Sequence, residues 1–273
     1  MRRRSVALLS LVLLATGCAG PPDASSLVAA DEAAEGPADD AARGEVRAAV
    51  ARTVRTTARI ETRIRMRVGT GANAKHYALG ITGDFDLGRD RGRLAVDLPG
   101  GAVHHIDEIF ADGQVYVRGP VPERPDVWGS IPRADGRAHY LLRAPLNDPE
   151  HVFRQLAEAR RYEPLGEREV NGSPASSYRV KFGVDTLMLG LDDDLRAKEE
   201  EVRQATRGGL DVQVQVWIDG QGRVVRHETI LGGTQFEVAE TTTLSDVGKP
   251  VEVTAPPPDE VAPMLEYSGV LPG

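Results

Sequence analysis

Ile60-Glu61-Thr62-Arg63-Ile64-Arg65-Met66-Arg67-Val68 alternates without a break. Uncharged, mostly apolar residues hold the even positions; Glu61, Arg63, Arg65 and Arg67 hold the odd ones between them. Strand side chains point to opposite faces in turn, so this stretch is a strand with one buried and one wet face. That pattern belongs to an antiparallel sheet with one face in water, not to a parallel sheet covered on both sides.

Working outward, the same period continues in Tyr77, Leu79, Ile81, Phe85 and Leu87, after a turn over residues 69–73. A third strand carries Leu94, Val96 and Leu98. Strands at 104–111 and 114–118 are joined by Asp112-Gly113, a strong hairpin signal. Further strands are predicted at 166–170 and 177–182 around Asn171-Gly172, and at 212–218 and 224–231 around Asp219-Gly220-Gln221-Gly222. A last one at 236–247 closes the sheet, so ten strands are predicted in all. Asp219 to Gly222 places its glycines where a turn needs positive φ, and is no nucleotide loop.

Three helices interrupt the strands. Val46, Ala49, Val50, Val54 and Thr57 fall at helical spacing from Gly44 to about Ala58, with Arg47, Arg52 and Arg55 between them. Asn147-Asp148-Pro149-Glu150 caps a helix predicted to run through Arg161, with Val152, Phe153, Leu156 and Ala157 as its apolar stripe. Val184, Leu187, Met188, Leu191, Leu195 and Val202 form a third stripe, broken near Gly190. Residues 119–137 read as a long Pro-rich loop carrying Trp128, suited to a lid or a docking surface. The fold class is therefore α+β: one strongly curved antiparallel sheet with helices on its apolar side. A long sheet must curl, and helices that cover its concave face incompletely would leave an internal cavity.

The N-terminus reads as an address. Arg2, Arg3 and Arg4 precede an apolar run from Val6 to Ala15, too short to span a bilayer as a stable helix, and then Thr16-Gly17-Cys18. Leu14-Ala15-Thr16-Gly17-Cys18 resembles a bacterial lipobox, with Ala15 where Leu is usual. In that motif the Cys sulfur receives a diacylglycerol, and Cys18 is the single Cys of the chain. The expected domains are a signal peptide at 1–17, acylated Cys18 with an acidic disordered tether at 18–42, the sheet domain at 43–255, and a Pro-rich tail at 256–273. Loss of the three Arg takes the formal charge from −8 to a more acidic −11. Two or three acyl chains suffice for stable attachment to a membrane. A tether of about 24 residues reaches roughly 27 Å from it.

Composition excludes several functions. A formal charge of −8 offers no basic field for nucleic acid. One Cys rules out an intramolecular disulfide framework. The 29 Arg against four Lys read as a GC-rich bacterial genome. His104-His105-Ile106-Asp107 brings at most two ligands to one face of a strand, so it reads as a surface pair rather than a metal site. Asp192-Asp193-Asp194 lacks the alternating oxygen spacing of a calcium loop. No nucleophile elbow, phosphate loop or dinucleotide fingerprint occurs, so the chain reads as a non-enzyme with no cofactor.

The order of elements, with the mid-chain Asn147-Asp148-Pro149 and the late strand Val216-Trp217-Ile218-Asp219-Gly220-Gln221-Gly222-Arg223-Val224-Val225-Arg226, resembles the actinobacterial LolA-like lipoproteins. That group is similar to the mycobacterial lipoproteins of the LppX and LprG type. The resemblance implies a half-barrel that holds a hydrophobic cavity against helices and carries lipids or acylated glycolipids across the cell envelope. It carries over no catalytic residue. Candidate lining residues, placed by face, are Ile64, Met66, Val68, Leu79, Ile81, Leu187, Met188, Leu191, Val214 and Val216. Each of them also suits an ordinary core. Two functions are open at this point. One is a membrane-anchored extracytoplasmic carrier of a lipid or acylated ligand. The other is a sensor of the same fold, with a closed interior and a membrane-protein partner.

Overall fold

The computed structural model describes residues 37–100, 103–119, 126–133, 149–183, 186, 189, 196–197, 211–233 and 236–263. The signal peptide, Cys18, most of the tether, the Asn147-Asp148 cap, the stripe through Leu187, Met188 and Leu191, and Asp192 to Asp194 lie outside them.

One sheet of twelve strands organises the domain. β1 (Thr57–Val68), β2 (Lys75–Asp86), β3 (Arg91–Asp97), β4 (His105–Ala111), β5 (Gln114–Arg118) and β6 (Trp128–Pro132) form a first meander. β7 (Arg161–Val170), β8 (Ser173–Lys181), β9 (Asp211–Asp219), β10 (Val224–Gly232) and β11 (Phe236–Ser245) form a second. The two join where β11 pairs antiparallel with β1, Ile60 opposite Leu244 and Val68 opposite Phe236. β12 (Val261–Pro263) adds a parallel strand to β6 at one edge, and β7 is the other edge, so the sheet stays open.

Turn chemistry explains the hairpins. Asp112-Gly113 and Asn171-Gly172 both take positive φ at their two residues, the mirror-image turn that matches strand twist. Asp219 accepts the N–H groups of Gln221 and Arg223 at 3.0 and 2.9 Å, which closes the β9–β10 turn. Two glycines allow close approach in the first meander. A Cβ on Gly83 would lie 1.9 Å from the Arg93 carbonyl oxygen, and one on Gly92 would meet the Phe85 ring at 2.2 Å. With no side chain at Gly92, Phe85 lies over that strand and meets Phe110 edge to face at 5.2 Å.

Two strands exceed the ten predicted. Trp128 does not sit in a loop: it is buried in β6, within a cluster that includes Ile109 and Ala111 and against Val253, Ala255 and Val261. The surrounding prolines and Gly129 hid a strand whose two large apolar residues, Trp128 and Ile131, face opposite ways. The C-terminal segment is likewise no free tail at its start. Pro256 is buried, and residues 261–263 join the sheet beyond the expected boundary at 255.

Helix α1 spans Pro37–Thr53, so it starts ahead of Gly44 and takes in residues expected in the tether. Those residues are held by burial of Ala42 and by Asp39, which accepts the Tyr162 N–H at 2.6 Å. Acids in the first turn also suit the helix dipole. Val46, Ala49 and Val50 face the core. At its C-terminal end the Thr53 hydroxyl donates to the Ala49 carbonyl and accepts the Val224 N–H, both at 2.8 Å. Helix α2 spans Pro149–Ala157 and ends short of Arg161, which begins β7. Arg47 Nε donates to the Ala157 carbonyl at 2.7 Å, and the Tyr162 hydroxyl donates to that of Leu156 at 2.8 Å. α1 thus packs on β7, β10 and α2, over one half of the inner face.

Candidate ligand-binding face

Strand register orders the inner face into rows. Across the centre, Val68 pairs with Lys75 and Phe236; Met66 pairs with Tyr77 and Val238; Ile64 pairs with Leu79 and Glu240; Thr62 pairs with Ile81 and Thr242. The rows continue through β10 and β9: Leu231 and Val212, then Thr229 and Val214, then His227 and Val216. Directly opposed residues share a face. Seven of the ten candidate lining residues therefore stand on one wall, and Leu187, Met188 and Leu191 lie outside the described residues.

Burial grades along this wall. Ile64, Leu79, Ile81, Val214 and Val216 are all buried, each 4% exposed or less. Met66, Val238 and Phe236 are half-buried. Val68 and Tyr77 are 51% and 48% exposed, which forms an apolar rim at one end of the central strands. Large exposed apolar side chains that continue a buried face mark a contact surface more often than scattered single ones do.

Polar groups interrupt the wall at its middle, and the sequence reading did not single them out. The Thr62 and Thr242 hydroxyls are 2.7 Å apart, and Thr242 donates to Glu240 Oε1 at 3.4 Å. Burial pushes the Glu240 carboxyl up to about 7, against the lowering effect of that Thr242 bond. His227 is 1% exposed, stacks edge to face with Phe153 of α2 at 6.2 Å, and has no partner at Nδ1 among the described residues. Burial pushes its pKa down to about 4, so the ring is neutral at pH 7. The signal was present in the alternation itself: Phe236, Val238, Glu240, Thr242 and Leu244 share one face, and two of the five are not apolar.

Other polar groups close on each other. His105 lies on the outer face, its Nδ1 2.7 Å from Asp97 and its Nε2 3.5 Å from Asp107, while Asp107 also binds Arg118. The Asp97 hydrogen bond raises the His105 pKa. A pocket of about 360 Å³ at the end of the sheet away from the rim, lined partly by Asn171, Ser173, Asp219, Arg223 and Asp246, has Asp219 paired with Arg223 inside it and Asp246 paired with Lys249 outside it. Among the described residues no cluster of three or more His, Cys, Asp or Glu could hold a metal ion.

No family model matches the chain, and no curated protein sequence matches it. Solved structures are similar to it. The lipoprotein LppX of Mycobacterium tuberculosis aligns at 14% identity over 79% of this chain and 100% of its own, with a TM-score of 0.48. LprF of Mycobacterium bovis aligns at 13% identity over 81% and 99%, with a TM-score of 0.46. A LolA superfamily protein of Nitrosomonas europaea aligns at 10% identity over 80% and 96%, with a TM-score of 0.29. The open antiparallel sheet described above stands on its own strand register.

Proposed function

We propose that this chain is an extracytoplasmic lipoprotein, held to the cell membrane through acylated Cys18, that binds a hydrophobic ligand on the inner face of its sheet. The ligand is a lipid, a glycolipid or the acyl chain of another lipoprotein, taken up for transport or chaperoning in the envelope. The observation that carries this reading is the unbroken apolar run along β1 and β2. It leads from buried Ile81, Leu79 and Ile64 through Met66 to the exposed rim at Val68 and Tyr77. An acyl chain lying along that wall gains about 0.8 kcal/mol per buried CH₂, so a sixteen-carbon tail needs no charged anchor.

A second reading, a sensor with a filled interior and a membrane-protein partner, is favoured by one observation: Ile64, Leu79, Ile81 and Val216 are almost wholly buried within the protein's own core cluster. Native mass spectrometry of the detergent-free mature protein separates the two. The carrier reading expects added mass in the range of a lipid. An empty domain that co-purifies with a stoichiometric protein supports the sensor.

A further inference from the structure

Apolar walls that bind only hydrocarbon have no use for titratable groups, because each buried polar atom needs a partner. This wall holds five polar side chains in two adjoining rows and on three adjacent strands: Thr62 on β1, Glu240 and Thr242 on β11, and His227 and Thr229 on β10. Thr62, Thr242, Thr229 and His227 are buried. Only part of their hydrogen-bonding capacity is used. Because Thr242 gives its proton to Glu240, its oxygen accepts from Thr62, which leaves a one-way chain of hydroxyls ending on Oε1. Among the described residues the second carboxyl oxygen takes no hydrogen bond, and His227 Nδ1 is buried with no partner. Glu240 stands on this face opposite Ile64 and Thr229, half-buried, with its carboxyl desolvated.

We infer that Thr62, Thr242, Glu240, Thr229 and His227 form a polar subsite that hydrogen-bonds an uncharged, hydroxyl-bearing headgroup, of the acylglycerol kind, while the hydrocarbon lies along the apolar rows. This rests on the ligand-carrying reading above. A hydroxyl both donates and accepts, which matches an acceptor oxygen on Glu240 beside an unfilled imidazole nitrogen. Phosphate and carboxylate heads are disfavoured, because they meet a carboxyl with no cation to offset them. Among the described residues the nearest cation on these rows is Lys75 at the rim, two rows from Glu240, a strand rise of roughly 13 Å.

Three palmitoyl probes test this on the mature full-length chain after bound lipid is removed: 1-monopalmitoylglycerol, methyl palmitate, and 1-palmitoyl lysophosphatidic acid. The monoglyceride is expected to bind about tenfold more tightly than the methyl ester, consistent with one or two net hydrogen bonds. Glu240→Leu removes that preference by weakening the monoglyceride alone, and Glu240→Gln tightens binding of the lysophosphatidate. Should Glu240→Leu not fold, Thr242→Val reads the same preference, with an expected loss of threefold or more. Equal affinity of wild type for the monoglyceride and the methyl ester overturns the subsite but not the carrier. So does an equal loss on both probes in Glu240→Leu, or an unchanged preference in Thr242→Val. Lysophosphatidate binding as tightly as the monoglyceride overturns the preference for uncharged heads. Failure of all three to bind overturns the carrier reading itself.

Discussion

The two halves of the sheet are held in different ways. From β7 to β10, α1 and α2 are fastened by directional bonds: Asp39 to the Tyr162 N–H, Thr53 to the Val224 N–H, Arg47 to the Ala157 carbonyl, and the Tyr162 hydroxyl to that of Leu156. From β2 to β6 the inner face is packed mainly by hydrocarbon, with Phe85 over Gly92 and against Phe110, and with Leu94, Val96, Val115 and Val117 buried beside the wholly buried carboxyl of Glu108. Directional bonds fix one geometry, whereas apolar packing tolerates rearrangement while volume is kept. The half packed mainly by hydrocarbon is therefore expected to be the more adaptable, and the half fastened by the helix bonds the stiffer. The polar subsite lies between them, on β1, β11 and β10.

The largest break in this contrast is Phe85→Ala. It removes a fully buried ring and is expected to cost about 3–5 kcal/mol in chemical denaturation, with β2 to β4 losing amide protection first. A loss under about 1 kcal/mol would mean that the ring does not organise that half.

Next in size is a pair of opposed pH effects. Folded Glu240 keeps its proton to about pH 7 but unfolded only to 4.5, so folding takes up a proton in that window and stability falls as pH rises through it. Folded His227 gains a proton only near pH 4 against 6.5 unfolded, so stability rises with pH between those values. Each effect is on the order of 3 kcal/mol, and they oppose one another across most of the same range. The two contributions therefore nearly cancel in the wild type between about pH 4.5 and 6.5. Glu240→Gln unmasks a loss on acidification below 6.5, and His227→Leu unmasks a loss as pH rises toward 7. Parallel curves for the wild type and both variants would show that neither group is perturbed as described. Among the described residues, the groups opposed to this pair are Ile64, Thr229, Thr242 and Val216, with Phe153 over His227; none of these carries charge.

Thr53→Val sharpens the fastened side. It strands the buried Val224 N–H and is expected to cost about 2 kcal/mol, while leaving ligand preference unchanged. A change in preference would place α1 in the ligand-binding machinery and not merely in the frame. The smallest effect on stability belongs to the rim. Val68→Glu with Tyr77→Glu should stay within about 0.5 kcal/mol of wild type, since both positions are about half exposed, yet lower lipid uptake severalfold. Uptake unaffected by two rim charges would move the route of access elsewhere.

Much of this frame was readable in the residues. The alternation of Ile60 to Val68, and the dipeptides Asp112-Gly113 and Asn171-Gly172, name strands and turns outright because period and turn chemistry are local properties. The pairing of β1 with β11 was not readable, since it joins residues some 180 positions apart and is decided by which faces can be buried together. β6 escaped because Gly129 and Pro132 occur in a strand whose outward residue, Trp128, is covered by the returning C-terminal segment. Helix α1 extended past its apolar stripe because the Asp39–Tyr162 bond, a tertiary contact, decides its start. Of the site, the apolar wall could be assigned by face, and the polar strip was written in the same alternation but outweighed by the apolar residues around it.

Residue-resolved photolabelling tests the central claim most directly. A palmitoyl chain bearing a terminal diazirine is bound to the mature protein, irradiated and mapped. Labels are expected on even positions of β1, above all Ile64 and Met66, and on Leu79, Ile81 and Val214. Labels on Arg63, Arg65 and Thr241 of the opposite face, or none at all under saturating probe, would contradict ligand binding on the inner wall.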